Sequence, residues 1–319
     1  MTTVYFVILP DVVLLDVAGA AEAFRMAEQQ RPGSYELKFV SPSATVRSGV
    51  GLELHKLGLL PKKIPADALI VVTGIIGSDI RFDTPHMQSL IEWLPTVTNT
   101  ESVRLMCVCA GSVIAAKAGL LQGRECTTHH EHIDELARIE PTATVHANRI
   151  FVEDGRVMTS AGVTAGTDLA LHVIGQQLGH QTAAAVARQL VVYMRRSGTD
   201  PQLSPWVMHR NHIHPAVHRV QDAVLKNPSA DWSSTRLAAI ACTSERNLAR
   251  LFAEHAGCSA LDYVQRIRIA LARELLSNSS LNVEHVAERA GFSSAHHLRR
   301  VWRRWETQPP VAHRRGPQV

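Results

Sequence analysis

Leu105-Met106-Cys107-Val108-Cys109-Ala110-Gly111-Ser112 carries an apolar strand into Cys109 and leaves it through small residues that open a helix. Apolar residues at consecutive positions fit a strand buried on both faces, as in a parallel sheet covered by helices. Runs of the same kind recur at 4–9, closed by Pro10, and at 37–40 and 68–72. Helical periodicity lies between them at 15–28, 85–94 and 112–121, and later at 166–179 and 182–195. Alternating strands and helices predict an α/β sandwich on a parallel sheet, with residues 46–55, which contain Gly49 and Gly51, as a hairpin excursion.

The turn at Cys109 holds one side chain at the carboxyl end of the sheet, beside backbone N–H groups and a helix N-terminus. A thiol there loses its proton more readily. Spacing alone leaves open a small, inert buried cysteine. Ligands of open parallel sheets bind at this end, where Asp16, Gly74, Cys109, Ala110 and Thr164 are expected to gather into a pocket for a small polar effector.

The chain has 319 residues, room for two domains with separate cores. Its net charge of +4 is unevenly placed: residues 1–208 hold 17 Lys+Arg against 20 Asp+Glu, and residues 209–319 hold 16 against 9. A basic portion behind an acidic one is the footprint of a nucleic-acid module joined to something else. The five cysteines, at 107, 109, 126, 242 and 258, have no disulfide-framework spacing. Met1-Thr2-Thr3 enters a strand without a basic leader, and no apolar run nears the ~20 residues of a membrane span. A cytoplasmic protein with no membrane segment is expected.

From Ser234 to Arg314 the chain repeats itself. Leu237-Ala238 and the run from Ser244 to Phe252 return as Val286-Ala287 and the run from Ser294 to Trp302. The offset is 49 residues before Ser244 and 50 after it, because Gly291-Phe292 adds a residue to the second turn. A repeat that slips only in a turn is a duplicated supersecondary unit. Each copy is a short apolar helix, a break, and a helix with a basic outer face, the pattern of helix-turn-helix.

Leu248, Leu251 and Phe252 form the inner stripe of the first basic helix, with Ser244, Arg246, Ala249 and Arg250 outside. In the second, Leu298, Val301 and Trp302 point inward, leaving Ser294, Ala295, His296, His297, Arg299, Arg300 and Arg303 for DNA. Arg246, Arg250, His296 and Arg300 are the base readers, and Arg303, Arg304, Arg314 and Arg315 the phosphate contacts. Apolar positions 264, 267, 271 and 275 predict a continuous helix over 261–276 as a rigid spacer, able to hold the two reading helices about one DNA turn (~34 Å) apart. A turn-rich linker at 197–212 separates domains at 1–196 and 213–315, before a tail at 316–319. His209, His212, His214 and His218 stand close together, but their spacings of 3, 2 and 4 match no closed metal motif, and no metal or other cofactor is expected.

Residues 1 to about 195 resemble the PfpI/ThiJ branch of the class I glutamine-amidotransferase-like superfamily. The resemblance rests on residues 14–22, Cys109-Ala110-Gly111, residues 119–129 and residues 159–166. It implies a flavodoxin-like fold, with Cys109 as elbow thiol, Asp16 facing it and His129 on the segment after the elbow helix. The proteases of that branch place His after Cys, and Gly-Gly after the preceding strand; here these positions hold Ala110 and Gly74-Ile75. Catalysis is therefore not expected. Residues 213–314 resemble the AraC/XylS family, and the combination of domains its GlxA-type branch. At the far end this chain departs from the family, with Glu306 for an aromatic, Thr307 for Gly and His313 for Tyr.

The resemblances imply a transcription regulator that binds double-stranded promoter DNA, engages RNA polymerase and pairs into a homodimer through its first domain. Its effector would be a small, nitrogen-containing metabolite. The alternatives are a Cys109-dependent amidase or isonitrile-hydratase-like enzyme fused to a DNA-binding module, and an oxidant sensor at Cys109.

Overall fold

The computed structural model describes residues 1–77, 79–99, 102–192, 196–198, 200, 202, 209, 212, 214–306 and 308–313. The chain divides into two compact units, 1–202 and 203–319.

The first unit begins with β1 (Thr2–Val7), α1 (Leu14–Gln30) and β2 (Tyr35–Ser41), then the hairpin of β3 (Thr45–Arg47) and β4 (Glu53–His55). There follow β5 (Gly58–Leu59), β6 (Leu69–Val72), α2 (Pro85–Val97), β7 (Arg104–Val108) and α3 (Gly111–Lys117). Next come β8 (Glu125–Cys126), a 3-10 turn at His130–His132, α4 (Ile133–Ile139), β9 (Thr144–Val145), β10 (Phe151–Asp154) and β11 (Val157–Ser160). The unit ends with α5 (Thr164–Leu178) and α6 (His180–Gln189).

The central sheet runs β10-β11-β7-β6-β1-β2-β5. All its pairings are parallel except β10 with β11, so the parallel sheet expected from sequence carries one antiparallel edge. Consecutive apolar residues divide between the faces. Val4, Phe6 and Ile8 join α1, α5 and α6 in one core, whereas Tyr5, Val7 and Leu9 join α2, α3 and α4 in the other. This is the flavodoxin-like sandwich. α3 stops at Lys117 and α6 at Gln189, earlier than periodicity suggested, and residues 193–195 lie outside the described set.

The second unit contains α7 (Pro215–Lys226), α8 (Ser234–Ala241), α9 (Glu245–Ala256), α10 (Ala260–Asn278), α11 (Val283–Arg289) and α12 (Ala295–Trp302), then a 3-10 turn at Pro310–His313. The duplication reappears in the caps. Ser233 and Asn282, 49 positions apart, each accept the backbone N–H three residues on, and so do Ser244 and Ser294, 50 apart. The first turn passes through left-handed Cys242 (φ 54), the second through Gly291 (φ 82). From there to the next cap are two residues in the first copy and three in the second, so the added residue is Phe292, which is buried in the second core.

α10 belongs to both cores. Ala260, Tyr263, Val264 and Ile267 pack with α7, α8 and α9, and Ile269, Ala272 and Leu276 pack with α11 and α12. At 100° per residue these sets occupy nearly opposite faces. The expected stripe holds, with Val264 and Ile267 in the first core and Leu271 and Leu275 against the second, and Ile269, Ala272 and Leu276 add a further face because one helix fills two cores.

Candidate functional site

Asp16 enters from the first turn of α1 and is completely buried. Its Oδ2 accepts the Gly74 N–H at 3.0 Å and its Oδ1 the Val163 N–H at 2.6 Å, so one carboxylate ties together the loops after β6 and β11. The Cys109 thiol also donates to it. Burial pushes Asp16 up to about 6, against the lowering effect of these donors.

Cys109 follows β7 with φ 57, a left-handed conformation costly for a residue with a Cβ. Its N–H donates to Ser160 O at 3.0 Å, and its carbonyl accepts from Thr128 Oγ1 at 2.8 Å. Close packing requires glycines on both sides. A Cβ on Gly74 would stand 2.7 Å from Cys109 Cβ, and one on Gly162 would stand 2.8 Å from the sulfur. Val163, next to Gly162, also has positive φ, at 52°.

The expectation that the elbow lowers the thiol's pKa is overturned. Burial raises it well above the ordinary cysteine range, and the negative charges of Asp16 and Glu131 raise it further. The N–H of Ala110 opposes them and is outweighed. Two backbone N–H groups beside the site are engaged as well, Gly74 with Asp16 and Ala110 with the thiol.

Of the other sequence-predicted residues, Ala110 is buried at the start of α3. Thr164 is exposed at the start of α5, and its hydroxyl accepts from Arg196 Nη2 at 2.8 Å. His129 is adjacent in sequence to Thr128, but its ring lies 4.3 Å from that of His130 and its Nδ1 is 3.6 Å from Glu131. Among the described residues no hydrogen bond joins it to Cys109, and burial lowers its pKa. Residues 161–164, Val163 among them, were expected at the pocket, whereas sequence reading missed the parts played by Thr128, Arg196 and Gln202. Thr128 lies within a quoted motif; a valine at positive φ leaves no sequence signal.

In the second unit Ser244 and Ser294 cap α9 and α12, and Arg246, Arg250, His296, Arg299, Arg300, Arg303 and Arg304 are exposed. Arg250 lies against Glu254 at 2.7 Å and Asn247 at 3.1 Å. His297 is partly buried, its Nδ1 3.1 Å from Ser293 Oγ and its ring edge-on to Phe292. Arg299 faces Glu284 at 3.8 Å, and Arg304 reaches Asp262 at 3.1 Å while stacking on Trp305. Ala295, expected on the outer face, is buried. The departure at Glu306 is matched by Arg273 of α10, its ion-pair partner. Thr307, Arg314 and Arg315 lie outside the described residues.

His212 stacks near His218 (4.5 Å between ring centroids) and His214 near His255 (4.6 Å). Among the described residues no group of three or more His, Cys, Asp or Glu is arranged to hold a metal, and no helix is long and apolar enough to cross a membrane.

A model described as the DJ-1/PfpI family matches residues 2–176. The chain belongs to the DJ-1/PfpI family. In this member a second match, described as a helix-turn-helix domain, covers residues 237–316 and is of AraC type. The chain is 28% identical over 313 residues to the HTH-type transcriptional regulator GbdR of Pseudomonas aeruginosa, covering 98% of this chain and 83% of that one. It is 29% identical over 313 residues to the HTH-type transcriptional regulator GlxA of Rhizobium meliloti, covering 97% and 94%. A ThiJ/PfpI protein from Pseudomonas syringae has the same fold, with TM-score 0.52 and 20% identity over 75% of this chain and 90% of that one.

Proposed function

We propose that this DJ-1/PfpI protein is a sequence-specific DNA-binding transcription regulator that works in the cytoplasm, and that its first domain receives a metabolite without turning it over. The observation that carries this reading is the state of Cys109. Its thiol donates to the buried Asp16, burial disfavours the thiolate, His129 is not hydrogen-bonded to it, and the neighbouring Gly74 N–H is held by Asp16. What remains is a buried acid and a thiol beneath two loops, suited to reporting on a small nitrogen-containing molecule. Relatives over nearly the whole chain are named as HTH-type transcriptional regulators, which supports the output side. Arg246, Arg250, His296 and Arg300 then read bases, and the homodimer and contact with RNA polymerase belong to the same proposal.

Isothermal titration against a panel of amino acids and betaines tests the receptor. Binding that is lost in Asp16→Ala supports it, and no binding by any compound sinks it. Cys109→Ser separates receptor from catalyst: the receptor keeps effector-dependent transcription, whereas an enzyme loses turnover.

A further inference from the structure

Residues 196–198, 200 and 202 stand at the end of the first unit, and their bonds turn back toward the site. Arg196 forms a fork on Asp168 of α5, with Nε at 2.8 Å and Nη2 at 2.6 Å from Oδ2, while its own N–H meets Oδ1 at 3.2 Å. The same Nη2 donates to Thr164 Oγ1 at 2.8 Å. Thr164 follows Val163, whose N–H holds Asp16. At the other end Gln202 Nε2 donates to Thr128 O at 2.8 Å and Thr127 Oγ1 at 3.1 Å, and Thr128 Oγ1 donates to the Cys109 carbonyl. A carbonyl only accepts, so the Gln202 amide must present its nitrogen there. Between these ends Ile150 donates to Asp200 O at 2.9 Å and the Ser197 N–H to Asp200 Oδ2 at 2.7 Å. Gly198 lies so close to Phe151 that a Cβ would stand 2.7 Å from its carbonyl oxygen.

Two separate chains of bonds thus join the described residues of this segment to the Asp16 carboxylate and to the Cys109 backbone. The first runs Arg196, Thr164, Val163, Asp16; the second runs Gln202, Thr128, Cys109. We propose that Arg196, Ser197, Gly198, Asp200 and Gln202 act as a strap coupling the Asp16–Cys109 site to the DNA-binding unit, with Arg196 and Gln202 as its positioning residues. This rests on the receptor reading of the site, and supplies its route to the output. A ligand that displaces the loop at Gly162-Val163 or the Cys109 backbone loosens the strap, and the chain entering the second unit gains freedom. By linkage the effect is reciprocal: loosening the strap must loosen the site.

Both directions are measurable in the full-length protein without any effector, so failure to find a ligand does not bear on them. Asp16→Asn should raise hydrogen exchange at the amides of Ser197, Asp200 and Gln202 about tenfold, with the β2 amides unchanged. Conversely, Arg196→Ala or Gln202→Ala should speed iodoacetamide alkylation of Cys109 about fivefold, with exposed Cys242 as internal reference. A merely structural loss would lower the melting temperature without selecting Cys109. If Gln202→Ala fails to fold, the near-isosteric Thr128→Val breaks the same chain, and if Arg196→Ala fails, Thr164→Val breaks the other; each should give the same selective rise. Unchanged strap protection in folded Asp16→Asn overturns the proposal. So does alkylation of Cys109 at the native rate, or in constant ratio to Cys242, in the strap variants.

Discussion

Burial disfavours charge on Asp16 while the N–H groups of Gly74 and Val163 favour it, and burial wins. Its pKa rises on folding from 3.8 to about 6, so the folded chain holds the proton more tightly than the unfolded one. That contribution to stability is complete below pH ~4 and is lost as pH rises to about 6. Asp16→Asn cannot titrate. The stability of the native chain minus that of the variant should therefore fall across this window and level off above it, by on the order of 3 kcal/mol. Melting curves from pH 4 to 8 check this, and a flat difference would mean that Asp16 titrates normally. Val163 has a β-branched side chain at φ 52, a conformation costing about 1–3 kcal/mol. Val163→Gly should gain about 1 kcal/mol in urea unfolding at unchanged m-value, relief of strain exceeding the added freedom of the unfolded chain. The meeting of Asp16 and Cys109 was legible in the motifs, but the protonation of the thiol was not. Proton affinity depends on depth and on neighbours such as Glu131, which no local spacing displays.

The duplicated helices were the most legible elements, because capping leaves its residues in plain order. Ser244 and Ser294 mark the helix starts, and the one-residue slip at Phe292 falls in the turn. What sequence misjudged there came from packing. Ala295 is small enough to turn inward beside Leu298, and beyond Ile267 α10 adds a second apolar face at Ile269, Ala272 and Leu276 to serve a second core. On the outer face of α9, Arg250 is paired with exposed Glu254 and half-buried Asn247, and such a surface pair is weak enough to give way to another partner. Arg250→Ala should cost ~1 to 3 kcal/mol on the cognate site and relax preference at one position. Arg304→Ala should weaken every duplex alike and lower the salt slope by about 1. Titrating both variants against specific and random DNA at several salt concentrations distinguishes them. Equal losses on the two DNAs for Arg250→Ala would remove its reading role.

At the scale of the molecule, two units with separate cores predict two calorimetric transitions. Duplex DNA should raise chiefly the one belonging to residues 203–319, where the positive charge lies, and added salt should erase the gain. A single transition raised as a whole would show the units melting together. The charge asymmetry announced this division in the sequence. The strap did not appear there: Gln202 lies in the turn-rich linker and Arg196 just before it, and only the fold sets them against Thr128 and Asp168, 74 and 28 positions away.

The two faces of α10 also constrain how such a protein can diverge. A loop between DNA-reading modules can grow by any number of residues, but this helix cannot. One inserted residue would turn the second core by 100° and advance it 1.5 Å, pulling Ile269, Ala272 and Leu276 off their seats. Steps of whole turns, such as seven residues over two turns, nearly restore the phase, and that one lengthens the span by about 10 Å. The spacing of the two helical cores is thus set by a ratchet, and a lineage changes it by a whole tooth or keeps it.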